Sequence, residues 1–276
     1  MKVLLTGCSG QLGNSIKNLT GADFELITPN SQDLNFLEPK KLMQKLNFFS
    51  PNIIINAAAY TQVDNAEQNK DIALKINGEA PLILAEYSYK RDIPLFHFST
   101  DYVFDGKKST PYTEEDSPNP INTYGESKLF GDLNIFNNAE KFIIFRTSWV
   151  YNKHYGKNFF RTMQKLFREK EEIRVVDDQI GSPTNTTYLA NACLSFIKNY
   201  YQGNDMSKLW GLYNISGDSE VSWYDFALKI FNNEKKNNLK TKKIIPIKTS
   251  DLPIIAKRPE YSCLDNALIK KTLLNI

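Results

Sequence analysis

The stretch "KVLLTGCSGQLGNSIKNL" (2–19) decides how the rest of the chain is read. An apolar run (3–5) breaks at Gly7 and gives way to a segment whose Leu12, Ile16 and Leu19 share one helical stripe. Strand, glycine turn and helix in that order open a parallel βαβ unit. Gly7, Gly10 and Gly13 mark the junction with the spacing G-x-x-G-x-x-G. Small residues there let the backbone turn sharply and approach a phosphate, whose charge the helix N-terminus stabilises. Two readings stand: a dinucleotide site, or a tight strand-to-helix turn without a ligand. The spacing departs from the commoner G-x-G-x-x-G.

Further apolar runs follow: "FELI" (24–27), "NIIIN" (52–56), "PLFHFS" (94–99), "FIIFRTS" (142–148) and "EIRVV" (172–176). Such β-branched runs read as strands buried on both faces of a parallel sheet. Amphipathic stretches separate them, among them "DIALKINGEAPLILAEYSYKR" (71–91), where Pro81 marks a bend. The expected fold class is α/β, a Rossmann-like doubly wound parallel sheet with a smaller C-terminal α/β substrate lobe. Residues 1–150 form the NAD(P)-binding part, the strand and helix near 172–200 return to it, and 151–276 is mainly the substrate lobe. In that second half "YNISGDSEVSWYDFALKIF" (213–231) reads as strand, turn and helix, with Ser222 as helix cap.

Bulk composition narrows the function classes. The 276 residues are 41% apolar and 24% charged, enough for a sizeable core. Thirty-four basic and 31 acidic residues give a net charge of +3, too balanced for nucleic-acid binding. The basic cluster "NNEKKNNLKTKK" (232–243) reads as solvated surface. Cys8, Cys193 and Cys263 are odd in number and widely spaced, which fits neither a disulfide framework nor a zinc site. With no signal peptide at the start and no run near the roughly 18 apolar residues of a membrane span, a cytoplasmic protein with no membrane partner is expected.

Chemistry concentrates in "STDYVFDGKKSTPYTEEDSPNPINTYGESK" (99–128). Tyr124 and Lys128, four apart on a helix, share one face. A free phenol, with a pKa of about 10, is a poor acid at neutral pH, and a nearby ammonium charge pulls that value down. The pair then exchanges a proton with an alcohol or ketone oxygen. Thr100 ends the run 94–99 at the kind of strand terminus where doubly wound folds bind ligands. As for the dinucleotide, no acid occupies Thr28, Pro29 or Asn30, where one would hold the ribose hydroxyls of NAD. Asn30 and Ser31 are able to donate to a 2′-phosphate, so NADPH is favoured, with NADH possible.

Together these features resemble the extended short-chain dehydrogenase/reductases. The ordered stretches "INAAAYTQVDNAE" (55–67), "STDYVFDG" (99–106), "YGESK" (124–128), "FRTSWVY" (145–151), "DDQIGSPT" (177–184) and "RPEYSCL" (258–264) resemble the dTDP-4-dehydrorhamnose reductases over nearly the whole chain. The resemblance implies NADPH-dependent reduction of the C4 ketone of dTDP-4-dehydro-β-L-rhamnose to dTDP-L-rhamnose, for bacterial surface polysaccharide. It implies Thr100, Tyr124 and Lys128 as catalytic residues. It implies Gly7, Gly10, Gln11 and Leu12 around the pyrophosphate, Asp33 and Leu34 beside the adenine, and Ala57, Ala58, Ala59 and Tyr60 along the cofactor. Thr61, Val63, Asp101 and Trp149 would face the sugar nucleotide, and Asn77 would be structural.

Some members of the family dimerise around magnesium held by glutamates. The first helix here carries Asn14 and Ser15 instead, so no metal is expected, and monomer and homodimer stay open. His97 reads as a core histidine, and His154 lies in a loop that would close over the sugar. Two alternatives remain. One is a sister nucleotide-sugar 4-keto reductase or epimerase. The other is a non-catalytic NADP-binding regulatory subunit of the methionine adenosyltransferase type, whose members often lack an intact trio.

Overall fold

The computed structural model describes residues 1–21, 24–234 and 239–276. Its first half alternates strand and helix: β1 (Lys2–Thr6), α1 (Gln11–Leu19), β2 (Glu25–Ile27), α2 (Pro39–Phe49), β3 (Ile53–Asn56), α3 (Val63–Gln68) and α4 (Lys70–Leu74). A wide π-helical turn, Lys75–Glu79, runs without a break into α5 (Ala80–Arg91), and the widened turn falls just before Pro81, which has no N–H to give the helix. Then come β4 (Leu95–Thr100), α6 (Thr123–Asn138) and β5 (Phe142–Thr147).

The second half contains β6 (Val150–Tyr151), α7 (Phe159–Glu169), β7 (Glu172–Val176), β8 (Ile180–Gly181), β9 (Thr184–Asn185), α8 (Thr186–Tyr201) and β10 (Gly211–Asn214). It closes with β11 (Val221–Ser222), α9 (Trp223–Glu234), β12 (Lys243–Ile247) and α10 (Ala267–Leu273). Ser222 caps α9, its hydroxyl accepting from Asp225 N at 3.0 Å.

Six parallel strands form the main sheet in the order β10-β5-β4-β3-β1-β2. β1 has β2 on one side and β3 on the other, so the chain reverses direction across the sheet there. That switch point is where doubly wound sheets open a crevice beyond the strand ends. Side-chain alternation separates two cores. Val3, Leu5, Ile53, Ile55, Phe96 and Phe145 pack against α1 and α8; Leu4, Ile54, Leu95 and Ile144 pack against α2, α5 and α6. A third core joins Phe160, Met163 and Phe167 of α7 to Ile173 and Val175 of β7 and Phe226 and Ile230 of α9.

Two expectations need correction. The run 172–176 does not enter the main sheet but pairs with β12, and the sixth strand is instead 211–214. The burial of β7 alternates, Ile173 and Val175 inward and Glu172 and Arg174 outward, as suits a strand covered on one face. Helix α8 does pack on α1, so only the helix of the 172–200 segment returns to the first half. At the sheet edge, β2 is only partly buried, not covered on both faces. The basic stretch 232–243 lies partly outside the described residues. Among the described residues, no helix is long and apolar enough to cross a membrane.

Candidate active site

The glycine loop is dictated by close approach. Gly7 has φ 66°, and a Cβ there would lie 2.6 Å from the backbone of Ala57 and Ala58. A Cβ at Gly13 would lie 2.2 Å from the Gly7 carbonyl oxygen. Gly10 heads α1 and no side chain caps that helix, which leaves its first N–H groups to the cleft. Two cavities meet around the loop. One, about 410 Å³, is lined by Asn30, Ser31 and Leu34; the other, about 460 Å³, by Gly10, Gln11, Leu12, Ala57, Thr61, Tyr124 and Lys128. They share Gly7, Ser9, Ala58 and Ala59, so the opening runs lengthwise past the end of β1 as a dinucleotide requires. At its far end Ser99 and Thr147 are in the cavity lining, and their hydroxyls are buried without a hydrogen-bond partner among the described residues. Such orphans fit a polar ligand.

Asp33 is exposed and outside the lining of both cavities. Gln11 lines the second cavity with its side chain tied to β6 and the loop after it, donating to Val150 O at 2.9 Å and accepting from Asn158 at 3.1 Å. That loop packs over the glycine turn: Tyr155 donates to Ser9 O at 3.1 Å, and Gly156 and Lys157 line the cavity. Nothing local in the sequence marks these residues for the site. His154 is exposed, its backbone N–H held by Asn152.

The Tyr-x-x-x-Lys helix is fixed at its N-terminus. Asn122 caps α6 by accepting from Gly125 N at 2.8 Å, and Glu67 accepts from Thr123 N and Oγ1 at 2.9 and 2.8 Å. A Cβ at Gly125 would lie 2.1 Å from Tyr102 O, so "YGESK" needs its glycine for packing. Asn77, in the π turn, bonds Tyr60 N and O and Ser127 Oγ at 2.8, 3.0 and 2.9 Å, a structural part. Thr100 is brought to Tyr124, and its hydroxyl also donates to Asp101 at 3.1 Å. Burial pushes the Tyr124 phenol up to about 12, with the Thr100 hydrogen bond a partial offset. The lysine does not lower it as the spacing implied: Lys128 Nζ donates to Phe98 O at 2.7 Å and meets His97 Nε2 at 3.1 Å. Burial brings Lys128 down to about 8.

The RmlD substrate binding domain family matches residues 1–276. The dTDP-4-dehydrorhamnose reductase of Aggregatibacter actinomycetemcomitans is 36% identical over 274 residues, 98% of this chain and 92% of that protein. The chain belongs to the dTDP-4-dehydrorhamnose reductase family. A family member from Clostridium acetobutylicum superposes with a TM-score of 0.90 at 38% identity, covering 99% of this chain and 92% of its own. Another, from Bacillus anthracis in complex with NADP, gives 0.90 at 35%, covering 98% and 92%.

In this dTDP-4-dehydrorhamnose reductase family member the remaining motifs meet beyond the trio. Trp149, left-handed at φ 42°, stacks on Trp223 with centroids 3.4 Å apart and planes 4° apart, and is half-buried rather than core. "DDQIGSPT" supports the stack: Gln179 accepts from Trp223 Nε1 at 3.2 Å, and a Cβ at Gly181 would strike the Trp149 ring. Arg258 of "RPEYSCL" pairs with Asp64 through two bonds of 3.0 and 2.6 Å. That pairing holds Asp64 down at about 2. A cavity of about 1120 Å³ opens between these segments, with Lys107, Lys108, Lys257 and Arg258 in its lining. Asp101 is wholly buried, while Val63 begins α3 and Thr61 reaches the cleft. Trp223, Asp64 and Arg258 were legible only as parts of motifs, because their partners are distant in the chain. Among the described residues no three His, Cys, Asp or Glu side chains gather as a metal site would need.

Proposed function

We propose that the protein reduces the C4 ketone of dTDP-4-dehydro-β-L-rhamnose to dTDP-L-rhamnose with NADPH, NADH being the weaker donor. The observation that carries this reading is the convergence of Tyr124, Lys128 and the glycine loop on one cavity, in a chain that matches the family end to end. Residues 1–150 would bind the dinucleotide and 151–276 mainly the sugar nucleotide. Gly7, Gly10 and Leu12 would hold the pyrophosphate with backbone groups at the start of α1. Asn30 accepts from Gln32 N and Asp33 N through Oδ1, which leaves its amide N–H group for a 2′-phosphate. Bound in the cleft, the reduced nicotinamide supplies the hydride that reduces the carbonyl carbon.

The trio manages the oxygen. Reduction needs a protonated Tyr124, and a phenol held near 12 keeps its proton until negative charge builds on the substrate oxygen. Tyr124 then donates that proton, Thr100 hydrogen-bonds the same oxygen, and Lys128 holds the nicotinamide ribose. The stacked Trp149 with Thr61 and Val63 would bound the sugar, and the lysine-rimmed cavity would take the nucleotide diphosphate.

The test follows NADPH oxidation with the 4-keto sugar generated in situ, for wild type and Tyr124→Phe. Wild type is expected to form dTDP-L-rhamnose, and the variant to lose at least about a hundredfold in kcat while still binding NADPH. Equal turnover by the two proteins overturns the acid assignment. NADPH binding with no turnover of this sugar by wild type moves the assignment to a sister nucleotide sugar.

A further inference from the structure

Thr6 and Asn56, at the C-terminal ends of β1 and β3, and His97, in the middle of β4, are register neighbours. All three are buried, and they form a hydrogen-bonded row that ends on Lys128. Thr6 Oγ1 donates to Asn56 Oδ1 at 2.7 Å, Asn56 Nδ2 meets His97 Nδ1 at 2.9 Å, and His97 Nε2 meets Lys128 Nζ at 3.1 Å. The row has a fixed direction. Ala58 N–H is shared between Thr6 Oγ1 and Asn56 at 3.3 Å each, and an NH₂ turned toward a backbone N–H would set donor against donor, so the amide atom on that side is oxygen. Asn56 therefore presents its NH₂ to His97, and Nδ1 accepts. A wholly buried imidazole is neutral, as desolvation also dictates, so its single proton is on Nε2 and points at Lys128. An ammonium there would face donor against donor. A neutral amine fits: it accepts from His97 Nε2–H and donates to Phe98 O at 2.7 Å.

We propose that His97 is a positioning residue that parks Lys128 as a neutral amine in the cofactor-free protein, and that protonation of the amine breaks this bond and releases it toward the cleft. The charged groups nearby set the balance. Asp132, one turn further along α6, favours the ammonium but is itself paired with Arg146 of β5 at 3.2 Å. Tyr124 lies one turn earlier, protonated, and β3 presents the uncharged Asn56. That Lys128 falls to about 8 agrees with a proton equilibrium accessible near neutrality. The role assigned to the released ammonium, holding the nicotinamide ribose, rests on the function proposed above. On that reading NADPH binding takes up a proton, and affinity falls as pH rises through about 8.

The decisive experiment needs neither cofactor nor sugar. Lysine side-chain carbons are labelled and titrated by NMR in the cofactor-free protein, with Lys128→Met identifying the Lys128 signal. Wild-type Lys128 is expected to titrate near 8. His97→Asn keeps a partner for Asn56 but none for the amine, and the titration moves up by roughly one pH unit or more toward the ordinary lysine value of about 10.4. His97→Gln restores an N–H at the Nε2 position and keeps the wild-type value. Asn56→Asp leaves the imidazole in place but accepts from Nδ1–H; its added charge by itself favours the ammonium, so this variant is read by the ¹⁵N shifts of His97, with the ring proton expected on Nε2 in wild type and on Nδ1 in the variant. This variant keeps the test open if His97→Asn fails to fold. A wild-type Lys128 that titrates as an ordinary lysine overturns the inference. So do equal values in wild type and His97→Asn, an equal rise in His97→Gln and His97→Asn, or a His97 ring proton on the same nitrogen in wild type and Asn56→Asp. Loss of the reductase assignment would appear in the turnover assay and leave this titration unchanged.

Discussion

Asp101 is the residue whose environment is most at odds with its chemistry. It is 2% exposed, one carboxylate oxygen accepts from Thr100, and the other has no hydrogen-bond partner among the described residues. Burial raises its pKa from 3.8 to about 7. The folded state binds this proton more tightly than the unfolded one, so its contribution is most favourable below 3.8 and is lost as pH rises through about 7. Asp101→Asn keeps the acceptor for Thr100 and removes the ionisation. The two proteins should converge in stability near pH 4, and the variant should gain with rising pH. Between pH 5 and pH 8 the gap should widen by on the order of 2–3 kcal/mol, read from urea unfolding at the two pH values. A constant gap would show that Asp101 does not titrate in that range. Thr100, Tyr124 and Lys128 were legible as residues because spacing on a helix and position at a strand end are local. The partners of Lys128 were not, since Asn56, His97 and the amine meet only through sheet register.

At the scale of elements, most strands declared themselves, and the failures have physical causes. Runs such as 52–56 and 142–148 are central strands covered by helices on both faces, and their unbroken apolar character says so. "EIRVV" has the same β-branched content, but its Glu172 and Arg174 mark one wet face, the signature of a strand outside the main sheet. The strand that does complete the sheet, "GLYN", overlaps the strand read at the start of 213–231, but its short, mixed run does not say that it joins the main sheet. The "YGESK" helix shows how element placement builds the site. Its cap, Asn122, also donates to Lys257 O at 2.8 Å, so the start of α6 is tied to the C-terminal segment. Gly125 lets the helix pass Tyr102 O without a Cβ in between. Gly125→Ala must push α6 away from Tyr102 and carry Tyr124 with it. We expect kcat to fall at least about tenfold, with a loss of stability of roughly 1–3 kcal/mol from overpacking. Wild-type turnover with unchanged Tm would mean the helix start is free to shift without moving the phenol.

Across the whole molecule, the segment 255–264 binds the two halves of the site into one pocket. Asp64, at the start of α3, accepts from both Arg258 nitrogens and from Ile255 N and Ala256 N. Further along, Ile180 N donates to Glu260 O at 2.7 Å, and Tyr112 N to Cys263 O at 2.8 Å. The chain thus runs from the first half of the molecule to β8 and back, walling the cavity of about 1120 Å³ on its way. The motifs at 55–67 and 258–264 were legible separately; that one carboxylate joins them was not, because nearly two hundred residues of chain intervene. Asp64→Asn leaves a weaker acceptor for Arg258 and loosens the wall of the cavity proposed for the sugar nucleotide, while the glycine loop is untouched. KM for the sugar nucleotide should rise roughly tenfold, as expected from losing about 1.4 kcal/mol of positioning, with NADPH affinity nearly unchanged. Because Arg258 holds the carboxyl down at about 2, the pair is intact wherever pH exceeds the unfolded value of 3.8 and fails only as pH falls through about 2. The KM ratio of variant to wild type should therefore stay constant from pH 6 to pH 9. A ratio that drifts with pH, or an equal loss of NADPH affinity, would show that the Asp64–Arg258 pair holds the fold as a whole rather than this wall.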